Sequence, residues 1–223
     1  LDMGGIRCVL SSELYPNAGL GSSASLAVAC VSAFNCFHGL GLEDTVISEM
    51  AYRMEEIVHG TPSGIDNTVC AHGGLLTYQS GTFTFLGDVP DFNLLITYTL
   101  REHDTKHAIG AVQSFLDRHP RKGEDVLSKM GRIARNAEDC LKNGRMEGLG
   151  ALMNENQECL EMLGVSNDII GKLNELALKN GAFGSKLTGA GLGGCIITLG
   201  EKKVLERISQ DFKGKGYPNF MST

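Results

Sequence analysis

The sequence predicts a mixed α and β protein, and three observations carry that prediction. An apolar strand candidate at residues 6–10 runs through a glycine turn into an apolar helical segment. A series of helical patterns, broken by glycines and a proline, fills much of the second half. A tight glycine loop at 188–194 then leads into an apolar strand at 195–199.

The first of these is the organising stretch, Asn17-Ala-Gly-Leu-Gly-Ser-Ser-Ala-Ser25. Gly19 and Gly21 have no side chains to hold an anion away from the backbone. Ser22 and Ser23 add hydroxyls where the first helical N–H groups lack partners. A phosphate cradle is one reading; a serine cap on a core helix is the other, since serine is a preferred cap. Residues 24–37 are small or apolar almost all round, which predicts a buried helix stopped by Gly39.

A second helix is expected over 43–58, with Ile47, Met50, Ala51, Met54 and Val58 on one apolar stripe. Glu55 borders that stripe and can turn inward, with His59 one turn further along the same side. The turn-rich segment His59-Gly-Thr-Pro-Ser-Gly-Ile-Asp-Asn67 follows. There Ser63 and Asp66 also fit a capping box, so Asp66 is either helix punctuation or a turn-borne functional carboxylate. A hairpin is expected from 75–78 and 82–85 around Ser80 and Gly81, and a strand over 94–99.

Helices are predicted next at 105–118, stopped by Pro120, then at 124–142, 146–163 and 168–179, the last capped by Ser166. A strand at 182–187, the glycine loop, the 195–199 strand and a helix over 203–212 complete the pattern. A division between domains is expected within 87–104.

Composition narrows the function classes. A net charge of −6 without a cluster of basic and aromatic residues argues against a broad nucleic-acid surface. No stretch approaches the roughly 18 apolar residues of a membrane span. Seven scattered cysteines without C-x-x-C spacing suit reduced, buried thiols and a cytoplasmic setting.

The glycine stretches match Rossmann spellings only loosely, because 188–194 leads into a strand and neither is followed by the expected acidic strand end. No Walker A loop is present. A phosphate cradle, an inward carboxylate, a turn-borne aspartate and a second glycine loop together form a parts list for phosphoryl transfer. Ser23 and Glu55 would supply the hard oxygens that Mg2+ requires.

Three blocks in order give the chain a family resemblance: Ala18-Gly-Leu-Gly-Ser-Ser-Ala24; Glu55 with the 59–67 segment; and Lys186-Leu-Thr-Gly-Ala-Gly-Leu-Gly-Gly-Cys195. The chain resembles the GHMP-type small-molecule kinases over nearly all its length, and within them the mevalonate kinase branch, whose H-G-x-P-S-G-x-D-N form is the specific signal. The resemblance implies an α+β, two-domain GHMP kinase fold. Residues 1–100 would be the later part of an incomplete S5-like N-terminal domain, and 101–223 a ferredoxin-like C-terminal domain.

The resemblance also implies the chemistry. ATP would phosphorylate the primary hydroxyl of mevalonate, with Asp66 as general base and Ser23 and Glu55 on Mg2+. Ala18, Gly19, Leu20, Gly21, Ser22 and Ser23 would wrap the ATP phosphates. His59, Ser63, Thr105, Gly189, Ala190 and Gly191 would face the substrate. A homodimer is compatible with this assignment, and no nucleic-acid or membrane partner is expected. Another GHMP kinase, acting on phosphomevalonate, homoserine or a sugar, is the alternative, as is a catalytically silent ATP-binding module.

Two positions depart from the family pattern: Leu192 stands where glycine is usual, and His103 where some relatives carry arginine, for which Arg101 is near enough to substitute. The family's front motif, with its nucleotide-contacting lysine, has no counterpart here, and the first residue is Leu1. The expectation is a piece of a longer polypeptide, inactive when isolated.

Overall fold

A computed structural model describes residues 7–15, 18–59, 62–79, 81–102 and 105–222. In chain order its elements are α1 (Ser22–His38), α2 (Asp44–His59), α3 (Ile65–His72), β1 (Leu76–Gln79), β2 (Thr82–Phe85), β3 (Leu94–Tyr98), α4 (Thr105–Arg118), α5 (Pro120–Lys142), α6 (Met146–Met162), α7 (Asp168–Lys179), β4 (Gly184–Leu187), β5 (Cys195–Leu199), α8 (Lys202–Gly214) and β6 (Asn219–Ser222).

The first three helices pack on one another around Ala27, Val28, Val31, Ile47 and Ala51. Helix α1 ends at Gly39, whose φ of 60° is the left-handed conformation that glycine adopts without a Cβ penalty. The expected all-round burial of this helix is not realised. Ala24, Ala27, Val28 and Val31 are buried, but Leu26 and Phe37 are exposed; Ala27, Val28 and Val31 cluster with Ile47 and Ala51 of α2 and Cys70 and Ala71 of α3. The α2 stripe divides in the same way: Ile47 and Ala51 are buried, while Met50, Met54 and Val58 are exposed. The β1–β2 hairpin forms its own two-stranded sheet.

The second sheet is antiparallel, in the order β4-β5-β3-β6. One face buries Leu95, Leu187 and Ile196 against Ile170, Leu173, Leu205, Ile208 and Phe212 of the covering helices. The opposite face carries Ile96, Cys195 and Tyr98, against which Tyr15, Ala18 and Leu20 pack. The rings of Tyr15 and Tyr98 stack at 4.8 Å and 8°. The chain entering the first glycine turn is therefore laid on the open face of the sheet of the second half. Because β3 belongs to that sheet, a boundary at residue 100 would separate it from both its partners.

Several local expectations are corrected. Residues 7–10 form no strand; Ile6 lies outside the described residues. Pro120 opens α5 at its first turn, where its missing N–H has no helical partner to lose. Asn167, not Ser166, caps α7: its Oδ1 accepts from the N–H groups of Ile169 and Ile170, both at 3.0 Å. Strand β6 was not foreseen, since Asn219 and Ser222 give it little strand character. It forms by pairing with β3, while Asn219 is tied to Ser209 of α8 at 2.6 Å. Only Cys140, Cys159 and Cys195 are buried, whereas Cys8 and Cys36 are exposed.

Helix α6 approaches the outer edge of β4 so closely that both contact residues must be glycine. A Cβ on Gly150 would sit 2.4 Å from the Phe183 carbonyl carbon, and one on Gly184 2.3 Å from the Gly150 oxygen. The obstructing atoms are backbone, so relief requires moving the helix off the sheet. Gly150→Ala is expected to destabilise the fold by about 3 kcal/mol, the upper end of typical overpacking costs. Urea denaturation should reveal it as a lower midpoint with an unchanged slope.

Candidate active site

The site is built where the two glycine stretches meet. A Cβ on Gly189 would lie 2.7 Å from the Gly19 Cα, and one on Gly194 2.6 Å from the Ala18 oxygen. Gly19, Gly189 and Gly194 all have φ between 72° and 75°. No other residue satisfies both the close approach and the left-handed backbone.

The first turn ends at Gly21, which precedes α1 in a left-handed conformation and provides no side-chain cap. Ser22 is therefore the first residue of the helix and not its cap, as the simpler sequence reading had it. An uncapped helix start favours an anionic ligand, through its N–H groups and the positive end of the helix dipole. Leu20 and Gly21 are partly exposed beside it, while Ala18 is fully buried.

Two carboxylates reach this turn from different helices. Ser23 Oγ donates to Glu55 Oε1 at 2.5 Å, joining α1 to α2. Glu55 is buried, with 8% of its surface exposed, so the inward carboxylate expected from the α2 stripe is present. Asp66 lies in the first turn of α3 and is exposed. A Cβ on Gly21 would be 3.4 Å from both Cβ and Cγ of Asp66, which puts its carboxylate alongside the cradle.

The capping-box alternative for Asp66 does not form. Gly64, at φ 80°, precedes α3 without a side-chain cap, and Ser63 Oγ instead accepts from the Ile65 N–H at 3.3 Å. Gly64 is buried against Tyr52 and Phe83, which anchors the turn. Ser63 is exposed, and His59 is the last residue of α2.

The second glycine loop is braced from behind. The Gly194 N–H donates to Arg101 O at 2.7 Å, and Thr99 Oγ1 donates to Gly194 O at 2.7 Å. Gly193 lies against the carbonyls of Arg101 and Glu102, and Gly191 against that of Val165. Leu192 N–H donates to Val165 O at 2.7 Å, and Asn167 Nδ2 donates to Leu192 O at 3.0 Å. Sequence reasoning missed these braces, since backbone carbonyls leave no residue-type signature. Ala190 is half-buried against the helical core, and Thr105 is exposed at the start of α4. His103 and Asp104 lie outside the described residues.

Leu192, like Leu100, has a φ of 60°. That conformation costs an L-residue about 1–2 kcal/mol, which is why glycine would suit position 192. The leucine side chain offsets the cost by packing against the helical core.

The family model described as GHMP kinases N terminal domain matches residues 1–74, and that described as GHMP kinases C terminal matches 137–218. The chain belongs to the GHMP kinases. Among curated relatives, the mevalonate kinase of Thermococcus onnurineus is 37% identical over 207 residues, covering 91% of this chain and 62% of that protein. The Arabidopsis thaliana mevalonate kinase is 32% identical, covering 95% of this chain and 61% of the relative. The crystal structure of L. major mevalonate kinase in complex with R-mevalonate superposes with a TM-score of 0.86 at 27% identity, over 94% of this chain and 68% of that one. This GHMP kinase chain thus spans less than two thirds of the length of the curated relatives it matches. The α+β fold expected from the sequence is the one these structures share.

Strand β4, which leads into the second glycine loop, also carries a partly buried cation. Lys186 Nζ donates to Leu187 O at 2.7 Å, and burial pushes its pKa down from 10.5 to about 8. In the unfolded chain the group keeps its proton up to about pH 10.5; in the folded chain it loses it near 8. Stability should therefore rise with pH between those values, by up to about 1.4 kcal/mol per unit. Thermal melts from pH 7.5 to 10 should show wild type gaining on Lys186→Met, whose curve lacks this contribution.

Proposed function

We propose that this chain is part of an ATP-dependent kinase that phosphorylates the primary hydroxyl of mevalonate. The observation that carries the reading is the convergence of Asp66, Glu55 and Ser23 on an uncapped glycine turn, within a chain whose curated relatives are mevalonate kinases. The uncapped start of α1, with Ala18, Gly19, Leu20, Gly21, Ser22 and Ser23, would take the ATP phosphates. The bound R-mevalonate of the L. major relative supports the choice of alcohol.

The Ser23 and Glu55 oxygens fit Mg2+, which prefers a few hard oxygen ligands and completes its shell with water and phosphate. Bound there, the metal would neutralise charge on the transferring phosphoryl group. Asp66, exposed to the substrate side, would accept the hydroxyl proton. His59, Ser63, Thr105, Gly189, Ala190 and Gly191 would bound the alcohol. The glycine loops fix the spacing between nucleotide and alcohol, and most of the rate acceleration would come from that alignment and from charge stabilisation. No helix among the described residues is long and apolar enough to cross a membrane. The cytoplasm, where ATP and free thiols coexist, is the compartment we assign.

A coupled ADP-release assay on the complete polypeptide tests the reading. Release should depend on mevalonate, and release with phosphomevalonate, homoserine or a sugar in its place would overturn the substrate assignment. Asp66→Asn should retain nucleotide binding and lower turnover about 10²- to 10⁴-fold, the usual worth of a general base. Near-normal turnover would return Asp66 to a structural role.

The metal assignment has its own check. Glu55→Gln is expected to raise the Mg2+ concentration needed for half-maximal rate with little change in melting temperature. An unaltered Mg2+ dependence would leave Glu55 as a partner of Ser23 alone.

A further inference from the structure

Among the described residues strand β4 lies at the edge of its sheet, with no strand partner on one side of its backbone. A buried edge with unpaired N–H and C=O groups is costly. Here α6 supplies the missing partners. Asn154 Oδ1 accepts from the Ser185 N–H at 3.0 Å, and its Nδ2 donates to Phe183 O at 3.2 Å. Gln157 Oε1 accepts from the Leu187 N–H at 2.9 Å. The glycine contact between Gly150 and Gly184 brings the helix near enough for these bonds.

Gly150, Asn154 and Gln157 follow the i, i+4, i+7 spacing of one helix face. Asn154 and Gln157 are about 4.5 Å apart along the helix axis, whereas Ser185 and Leu187 are about 6.7 Å apart along the strand. The extra methylene of glutamine at the second position makes up much of that difference.

Gln157 does more than close the edge. Its Nε2 donates to Ser166 Oγ at 3.0 Å and to Glu161 Oε1 at 2.9 Å. Ser166 lies in the turn whose neighbours Val165 and Asn167 hold the two backbone groups of Leu192. One buried side chain therefore fixes both the strand residue that enters the 188–194 loop and the turn behind its centre.

We propose that Gln157, supported by Asn154, is the positioning residue that sets the register of the 188–194 loop against the Gly19 turn, and so the affinity of the nucleotide site. This rests on the reading that the two loops enclose ATP. Gln157 touches neither reactant; it acts through the Leu187 amide and the Ser166 turn.

The test is amide hydrogen exchange on the complete polypeptide, together with titration of MgADP. Gln157→Leu should speed exchange at residues 187–194 about tenfold, the consequence of leaving the buried Leu187 N–H without its partner. Residues 94–98 and 24–37 should keep their wild-type rates, and MgADP affinity should fall by about the same factor. Ser166→Ala, a milder change for use if Gln157→Leu does not fold, should accelerate the same amides by a smaller factor. Unchanged exchange at 187–194, or acceleration spread evenly over the sheet, would overturn the proposal. So would unchanged MgADP affinity in a variant whose loop exchange has risen. Wild type that fails to bind MgADP would sink the nucleotide reading itself, while the exchange pattern still decides whether Gln157 sets the loop.

Discussion

The close backbone contact between Gly19 and Gly189 is the constraint on which the rest of the structure depends. One residue belongs to the turn before α1 and the other to the loop after β4, so their contact joins the helical first half to the sheet of the second. A single methyl group on Gly189 would meet the Gly19 backbone at 2.7 Å. The packing of Tyr15, Ala18 and Leu20 on the open sheet face makes this approach stable. A stacked tyrosine pair and a small apolar cluster provide burial on one side of the turn, leaving its helix-start side for a ligand.

Behind that contact, backbone polar groups decide the geometry more than apolar bulk does. The loop 188–194 exchanges hydrogen bonds with residues 99–101 on one flank and 165–167 on the other. Such bonds are each worth only about 1 kcal/mol net, yet leaving a buried amide unpaired costs more. The result is a loop with one arrangement, although glycine gives its backbone wide freedom. Leu192 fits the same logic: its left-handed backbone is tolerated because both its N–H and its C=O are held and its side chain is packed.

Much of this was legible in the sequence where a residue type has a local meaning. Gly39 as a helix stop, the hairpin strand 82–85, the helices at 105–118 and 168–179 and the strand 195–199 all follow from turn residues and periodicity. Glu55 was legible as an inward carboxylate because it lies one turn from Ala51, which is buried, although Val58, one turn on the other side, is exposed. What could not be read depends on distant partners. The exposed half of α1 looks identical in sequence to its buried half. Strand β6 exists only because β3 offers an edge. Asn154 and Gln157 read as ordinary polar residues of a helix until the edge of β4 is laid against them. The meeting of Asp66 with Gly21 likewise has no local signal, since the two are 45 positions apart in the chain.

In the proposed reaction the two carboxylates near the glycine turn would be given two tasks by their surroundings. Glu55 is buried and accepts a hydroxyl from Ser23, so its oxygens are held in place in a medium that strengthens any nearby charge. That setting suits a cation, which would relieve the cost of a buried negative group. Asp66 is exposed in the first turn of α3, where water can reach it. An accessible carboxylate can take up a proton and release it again. Exchanging the two environments would leave a mobile ligand for the metal and a buried base with no route for its proton. The division of labour in the proposed reaction would thus rest on the burial of one carboxylate and the accessibility of the other.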